Sequence, residues 1–575
     1  MFRIAVVSAL LLSVSACCCQ PPDIGQISRE YVQKWKWFYP TEALAAGDGE
    51  SAIRFEDFSA ANVGIWLQYN KDILQNLSEN KHRSKLSLDD RIDMELLVRK
   101  MEMEIARWET DKSHLNSPSL YAGLISQAFS HLAARPLKDR PRMREAVLAR
   151  LNGVSTICDT AIGQLKDGPP ERSAGAADGL KAAADFYRSG LPGIMNPFFK
   201  GEREKKALEE AAAGTAEKIL ELSAFISGKI IPASSFTDAY GKERYNSVLR
   251  RYTGLRIHSL KLQRIALDEI ERVRKKIGQL SAEFWKNSNP GKMHIPGDEE
   301  CIGFAFGIME SHRVNNSSEF LEQFKNLIDR AEKFMYEAAI TATRDRRTLI
   351  TALSPPHFAG AAIGGVYPAG PFNPEADTLF YLPTVPDDSP LKVRDGFYRS
   401  FNKHFNSMII THEIFPGHYL QLKAGATNPH IVRSLFGDDL FSEGWASLCE
   451  QITLDRGWDG DNILTRLAHL RKRLENAVRA YSSVQVHCNG WGKNELTAFA
   501  VGKGLLPPQF AENLWHRVIN SPFQLTSYFL GFTHFDTLLK SMEKTPGFSI
   551  RKFCDRILSS GSVPMELLDD VMKNI

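Results

Sequence analysis

Between Thr411 and Gln421 the chain reads Thr-His-Glu-Ile-Phe-Pro-Gly-His-Tyr-Leu-Gln, and Phe441-Ser442-Glu443-Gly444-Trp445-Ala446 follows downstream. His412, Glu413, His418 and Glu443 supply what a catalytic zinc site needs: three neutral or anionic ligands, one open position, and a carboxylate that can accept a proton from water. The spacing also constrains the backbone. In the common His-Glu-x-x-His arrangement the histidines lie about 40° apart on a helix and can grip one ion. Here the second histidine stands at i+6, roughly 120° round the axis of an ideal helix. A regular helix would fail. Proline removes a donor and clashes with the preceding turn, and glycine tolerates unusual dihedrals, so Pro416-Gly417 predicts a bulge or break that returns His418 to the metal face. Glu443 comes 25 residues after His418, far enough for a second helix to deliver a third ligand.

A buried histidine is more often a satisfied core residue than a ligand. Two histidines flanking Glu and Pro-Gly, followed by Ser-Glu-Gly-Trp-Ala, form a much rarer combination and favour a metal site. Glu450 falls seven residues after Glu443, on the same helical face. It could orient a liganding histidine or be an ordinary helix carboxylate. Arg433 could anchor a substrate carboxylate, although a surface arginine is the simpler reading.

The run HEIFPGHYLQ with FSEGWASLCEQ after it resembles the DUF885 family, whose pattern is close to HE-x-x-PGH-x-x-Q … EGWA-x-x-x-E. That family looks like a relative of helical gluzincins such as the M32 carboxypeptidases, and many of its members carry a lipoprotein signal. The resemblance covers most of the mature chain in weaker form. It implies a zinc peptidase with His412, His418 and Glu443 as ligands to one Zn²⁺ per chain and Glu413 as general base. Arg473–Trp491 (RLENAVRAYSSVQVHCNGW) and Ser521–Gly531 (SPFQLTSYFLG) match further family stretches, with Ser483 where the pattern has an aspartate. On this resemblance His487 and Tyr528 are the donors that steady the oxyanion opposite the metal.

At the amino end, Arg3, the apolar run Ile4–Leu12 and Val14-Ser15-Ala16-Cys17 read as a secretory signal over 1–16, too short to span a bilayer. Val-Ser-Ala-Cys is the form of a bacterial lipobox, which would lipidate Cys17; plain cleavage after Ala16 is the alternative. Cys18 rather than Asp follows, pointing to the outer membrane. Residues 17–23 are then a tether, 24–230 an N-terminal helical lobe, and 231–575 the catalytic lobe. A net charge of +3 without a concentrated basic tract gives no sign of nucleic-acid binding. Outside Cys17, Cys18 and Cys19, five scattered cysteines make neither a disulfide framework nor a zinc ribbon.

Apolar residues at three- and four-residue intervals (Met94, Leu97, Met101, Ile105, Trp108; then Leu208, Thr215, Ile219, Leu222, Ile226) predict helical core stripes through the first half. Gly241–Lys276 reads as a helical hairpin. Character changes at 353–384, where Gly364–Pro371 and Thr378–Leu382 predict loop, turn and a short strand. Residues near Tyr367 and Leu379–Tyr381 could form an edge that pairs with a substrate backbone, or simply a hairpin covering the helices. Arg399–Leu420 and Leu440–Leu454 are expected to be the helices carrying the metal motif, and a long helix through Leu464–Val484 delivers His487.

The expected molecule is mainly α-helical, two lobes around a cleft with a small β element. Its expected function is a lipid-anchored envelope zinc hydrolase acting on a peptide or small amide. Three alternatives stay open: a non-haem iron site, which also uses two histidines and a carboxylate; a hydrolase of non-peptide amides; and a non-catalytic binding lipoprotein on a peptidase-like scaffold.

Overall fold

The computed structural model describes residues 23–79, 86–343, 349–354, 365–386 and 388–573. The signal, the lipobox with Cys17, and Gly364 lie outside the described residues. Among the described residues no helix is long and apolar enough to cross a membrane.

The protein is mainly helical, and its buried apolar side chains form two cores. One is built almost wholly from residues 24–230, the other from residues 245–572 together with Ile92 and Leu96. Helix α1 (Leu88–Ile105) is shared between them: Met94, Leu97, Val98 and Met101 enter the first core, Ile92 and Leu96 the second. Adjacent faces of one helix therefore knit the two lobes. In the first lobe, α2 (Gly201–Phe225) buries Leu208, Thr215, Ile219 and Leu222, the stripe its sequence predicts. In the second lobe, α3 (Lys242–Thr253) and α4 (Ser259–Ser288) make the predicted hairpin.

A three-stranded sheet lies in the second lobe, in the order β1 (Leu349–Leu353), β3 (Thr378–Leu382), β2 (Gly365–Tyr367). β1 runs parallel to β3, and β2 antiparallel. This corrects the idea of Leu379–Tyr381 as a substrate-pairing edge, because β3 is the central strand and both its sides are already paired. β1 escaped the sequence reading because its five residues show no clean alternation, and their burial is correspondingly mixed.

Five helices carry the site: α5 (Lys403–Glu413), α6 (His418–Ala426), α7 (Asp439–Asp455), α8 (Ile463–Asn489) and α10 (Pro522–Met542), with α9 (Pro508–Asn520) beside them. The stretch Arg399–Leu420 breaks at Pro416-Gly417, as the spacing predicts, but the helix before the break starts later than Arg399. α5 starts afresh at Asn402, whose Oδ1 accepts from the His404 and Phe405 amides, and it ends at Glu413.

Candidate metal centre

The break between α5 and α6 follows from Pro416 and Gly417. The Phe415–Pro416 peptide is cis, and α6 restarts at His418. A Cβ on Gly417 would stand 1.8 Å from the His412 carbonyl oxygen, so no other residue fits this turn. The turn folds His418 back beside His412, with ring centroids 4.8 Å apart and planes at 89°. Two contacts fasten it to α7. Trp445, fully buried, donates its indole N–H to the Pro416 carbonyl at 3.0 Å, and Ser442 Oγ donates to Gln421 Oε1 at 3.3 Å. The second half of the motif thus holds the first in shape.

α7 presents Glu443 to the two rings. His412 Nε2 lies 3.6 Å and His418 Nε2 3.4 Å from Glu443 Oε2. These separations exceed an ordinary hydrogen bond, and Glu443 Oε2 is a buried atom with no hydrogen-bond donor. These two distances lie near the edge of a tetrahedron whose centre is 2.0–2.1 Å from each donor atom, about 3.4 Å, and the three donor atoms all lie within 4.8 Å of one another. One oxygen and two imidazole nitrogens grouped this way could hold a metal cation. The electrostatics agree. Burial works against charge on Glu443, but His412 and His418 outweigh it and hold the carboxyl well below its usual range. Burial likewise opposes charge on His412, yet Glu443 and Glu450 raise its pKa to about 10. The same anionic groups would favour a metal cation between the rings.

Behind the rings, Glu450 receives His412 Nδ1 at 2.8 Å and His469 Nδ1 at 2.9 Å. When the His412 ring is neutral, the first contact keeps its proton on Nδ1 and leaves the Nε2 lone pair facing Glu443. Glu450 is 1% exposed; despite burial, its two histidine partners hold its pKa at about 2. His469 on α8 escaped the sequence reading, since it belongs to no local motif and meets Glu450 only through the helix packing.

The other expected site residues separate into near and far. Glu413 closes α5 beside His412, half-buried, with no hydrogen bond among the described residues. Tyr528 is near. Gln524 Nε2 donates to the Tyr528 hydroxyl at 3.1 Å and to Glu443 Oε1 at 3.4 Å. Burial, then the charge of Glu443, raise the Tyr528 pKa far above the ordinary phenol value, so the hydroxyl keeps its proton. His487 is far. It sits 18 residues beyond His469 on α8, roughly 27 Å along the axis. Its Nε2 engages the Val518 carbonyl at 2.9 Å, and burial pushes its pKa down to about 4. It stands outside the group that holds Glu443. Ser483 bonds Tyr245 and the Pro522 carbonyl, also away from the ligands.

Arg433 is not a surface residue; it borders the cavity between the lobes, with its guanidinium already engaged. It is 4% exposed and bonds Asp93 at 2.7 Å, Asp89 at 2.8 Å and the Ser560 carbonyl at 2.8 Å. Asp89 and Asp93 belong to α1, so this arginine fastens the two lobes. Among the described residues all five cysteines are free thiols.

A cavity of about 530 Å³ opens between the lobes, lined among others by Trp35, His131, Arg135, Tyr367, Gln421 and Ser442. Gln421 and Ser442 adjoin the candidate ligand motifs in sequence, while His412, Glu413, His418 and Glu443 themselves are not among the lining residues. Arg135 Nη2 donates to the Tyr367 carbonyl at 2.5 Å, which occupies part of the β2 edge. A cavity of about 570 Å³ bordered by Glu319, Gln323, Arg330 and Lys403 contains none of the cluster.

Two solved structures share this fold. A putative lipoprotein of unknown function from Shewanella oneidensis superposes with a TM-score of 0.80 at 19% identity, over 96% of this chain and 100% of that one. A putative lipoprotein from Colwellia psychrerythraea gives 0.76 at 15% identity, over 95% and 98%. No curated protein matches the chain in sequence. The model of DUF885, a bacterial protein family of unknown function, matches residues 40–572, and the chain belongs to that family.

Proposed function

We propose that the protein is a zinc-dependent hydrolase of the bacterial envelope, a metallopeptidase tethered by a lipid on Cys17. The observation that carries the reading is the convergence of His412 Nε2 and His418 Nε2 on one undonated oxygen of Glu443, at 3.6 and 3.4 Å. Two neutral imidazoles and a carboxylate are a zinc-hydrolase donor set, and Glu450 orients His412 in the way such sites require. A zinc ion held there would supply a Lewis acid and bring the pKa of a bound water towards neutrality.

The remaining chemistry belongs to the chain. Glu413, adjoining His412 at the end of α5, accepts a proton from the attacking water on its carboxylate and returns it to the leaving amine. Tyr528 keeps its phenolic proton and already accepts from Gln524, so its O–H is available to the oxygen on which negative charge develops. The cavity between the lobes has the volume of a site for a small ligand or a few residues of peptide. The description of two structural relatives as lipoproteins supports the envelope location.

The test is mass-spectrometric profiling of a mixed peptide library with the zinc-loaded protein beside Glu413→Gln. New termini produced by the wild type and lost in the variant support the reading. No cleavage by the zinc-loaded wild type, or equal cleavage by Glu413→Gln, contradicts it.

A further inference from the structure

Next to Tyr528 two helices gather more positive charge than the structure neutralises. Lys472 and Arg479 on α8 lie over the Tyr528 ring, with the charged groups 5.7 and 5.2 Å from its centroid. Arg517 on α9 reaches the same corner, donating to Gln524 Oε1 at 3.4 Å. Arg471 pairs with Glu310 at 3.7 Å, and Arg479 is bonded to Glu475. Among the described residues Lys472 and Arg517 make no ion pair. Burial and then the neighbouring Arg479 charge push the pKa values of both down, as expected for cations crowded together with too few anions. Such crowding costs stability, and an anionic ligand would relieve it.

The position of the cluster names that anion. Gln524 joins it to the metal group, taking Arg517 on its Oε1 and touching Glu443 Oε1 with its Nε2 at 3.4 Å. The cations are therefore one amide side chain away from a metal ligand. One residue of extended peptide spans about 3.5 Å. A peptide whose last bond lies at the metal would bring its terminal carboxylate to this corner. Arg517 offers a planar donor fork that suits a carboxylate, and Lys472 adds a point charge. Lys472 and Glu475 also border a small pocket walled by Phe401, Phe405, Leu506 and Phe510, which would suit an apolar terminal side chain.

We propose that Lys472 and Arg517, backed by Arg479, bind the free α-carboxylate of a short peptide, so that the final residue is the one released. The identity of this ligand rests on the peptidase reading above.

The test separates binding from turnover. N-acetyl-phenylalanine and N-acetyl-phenylalanine amide are titrated calorimetrically into the full protein, zinc-loaded and chelated, as wild type, Arg517→Gln and Lys472→Gln. Melting curves check that each variant is folded. The expected result is at least tenfold tighter binding of the acid than of the amide by the wild type, reduced in both variants. Equal binding of acid and amide, or a preference that survives both substitutions, overturns the proposal. Matched peptides with free and amidated termini are then offered to the zinc-loaded protein. Cleavage of both at equal rates overturns the carboxylate site while leaving the peptidase standing. Acid-selective binding without cleavage of any peptide leaves the site standing and removes the peptidase.

Discussion

Gly444 and Gly531 meet where α7 crosses α10, with so little space that a Cβ on Gly444 would lie 2.5 Å from the Gly531 carbonyl carbon. A Cβ on Gly531 would in turn stand 2.2 Å from the Leu440 carbonyl oxygen. This crossing lets Glu443, the residue before Gly444, come within reach of Gln524 and Tyr528 on the opposite helix. Gly444→Ala should force the helices apart, costing about 1–3 kcal/mol of stability. Gly531→Ala should do the same, and the double variant should cost less than the sum, because either methyl alone opens the contact. Melting temperatures of the three variants check this; full additivity would show that the glycines do not share one contact.

Glu450 holds His412 by its Nδ1 and His469 by its Nδ1 on separate oxygens. Glu450→Gln keeps the shape but replaces one acceptor oxygen with an amide donor, so one histidine must turn or change tautomer. Metal affinity should fall about 10- to 100-fold. Competition with a chelator of known affinity measures it, and an unchanged affinity would show that His412 needs no partner behind it.

Arg433 joins the lobes through Asp93 and Asp89, and its side chain is 3% exposed. Arg433→Met takes from the buried Asp93 one of its two partners, leaving His430 at 2.6 Å, a loss of about 1–3 kcal/mol. The loss should appear as lower melting temperature and as proteolytic sensitivity around α1.

Glu104 is a buried carboxylate that accepts from Tyr39, Trp66 and Trp108 at 2.6, 2.7 and 2.9 Å. Burial raises its pKa, but Lys100, Arg107 and these bonds win and hold it at about 2, against 4.5 for a free glutamate. The folded value lies below the unfolded one. The stabilisation, about 3 kcal/mol, is therefore complete above pH 4.5 and is lost as the pH falls towards 2. Melting temperatures across that window should fall more steeply for the wild type than for Glu104→Gln. Parallel slopes would remove Glu104 as the cause.

The legibility of the site in the sequence depended on the range of the interactions. The grouping of His412, His418 and Glu443 was readable because a metal site would fix those residue types at such a spacing, and the Pro416-Gly417 break followed from the i+6 spacing. Tyr528 rested on resemblance, and its contact with Gln524 places it beside Glu443. His487 was misleading for a simple reason. α8 is 27 residues long, so a residue at its far end can share a motif with the site and still be distant from it. His469, Gln524 and the Lys472–Arg517 corner arise only when α7, α8, α9 and α10 pack together, and no local pattern announces them. In the fold, the core stripes of α1 and α2 were visible as periodicity. The depth of Arg433 was not, because a buried arginine looks like a surface one until Asp89 and Asp93 are brought to it.

The central claim is that His412, His418 and Glu443 hold one zinc ion. Its most direct test is the metal content of the purified protein beside His418→Ala, by elemental analysis after chelator-free purification and zinc reconstitution. One zinc per chain in the wild type and none in the variant is the predicted result. Stoichiometric iron in place of zinc, or no bound metal in the wild type, would contradict the account.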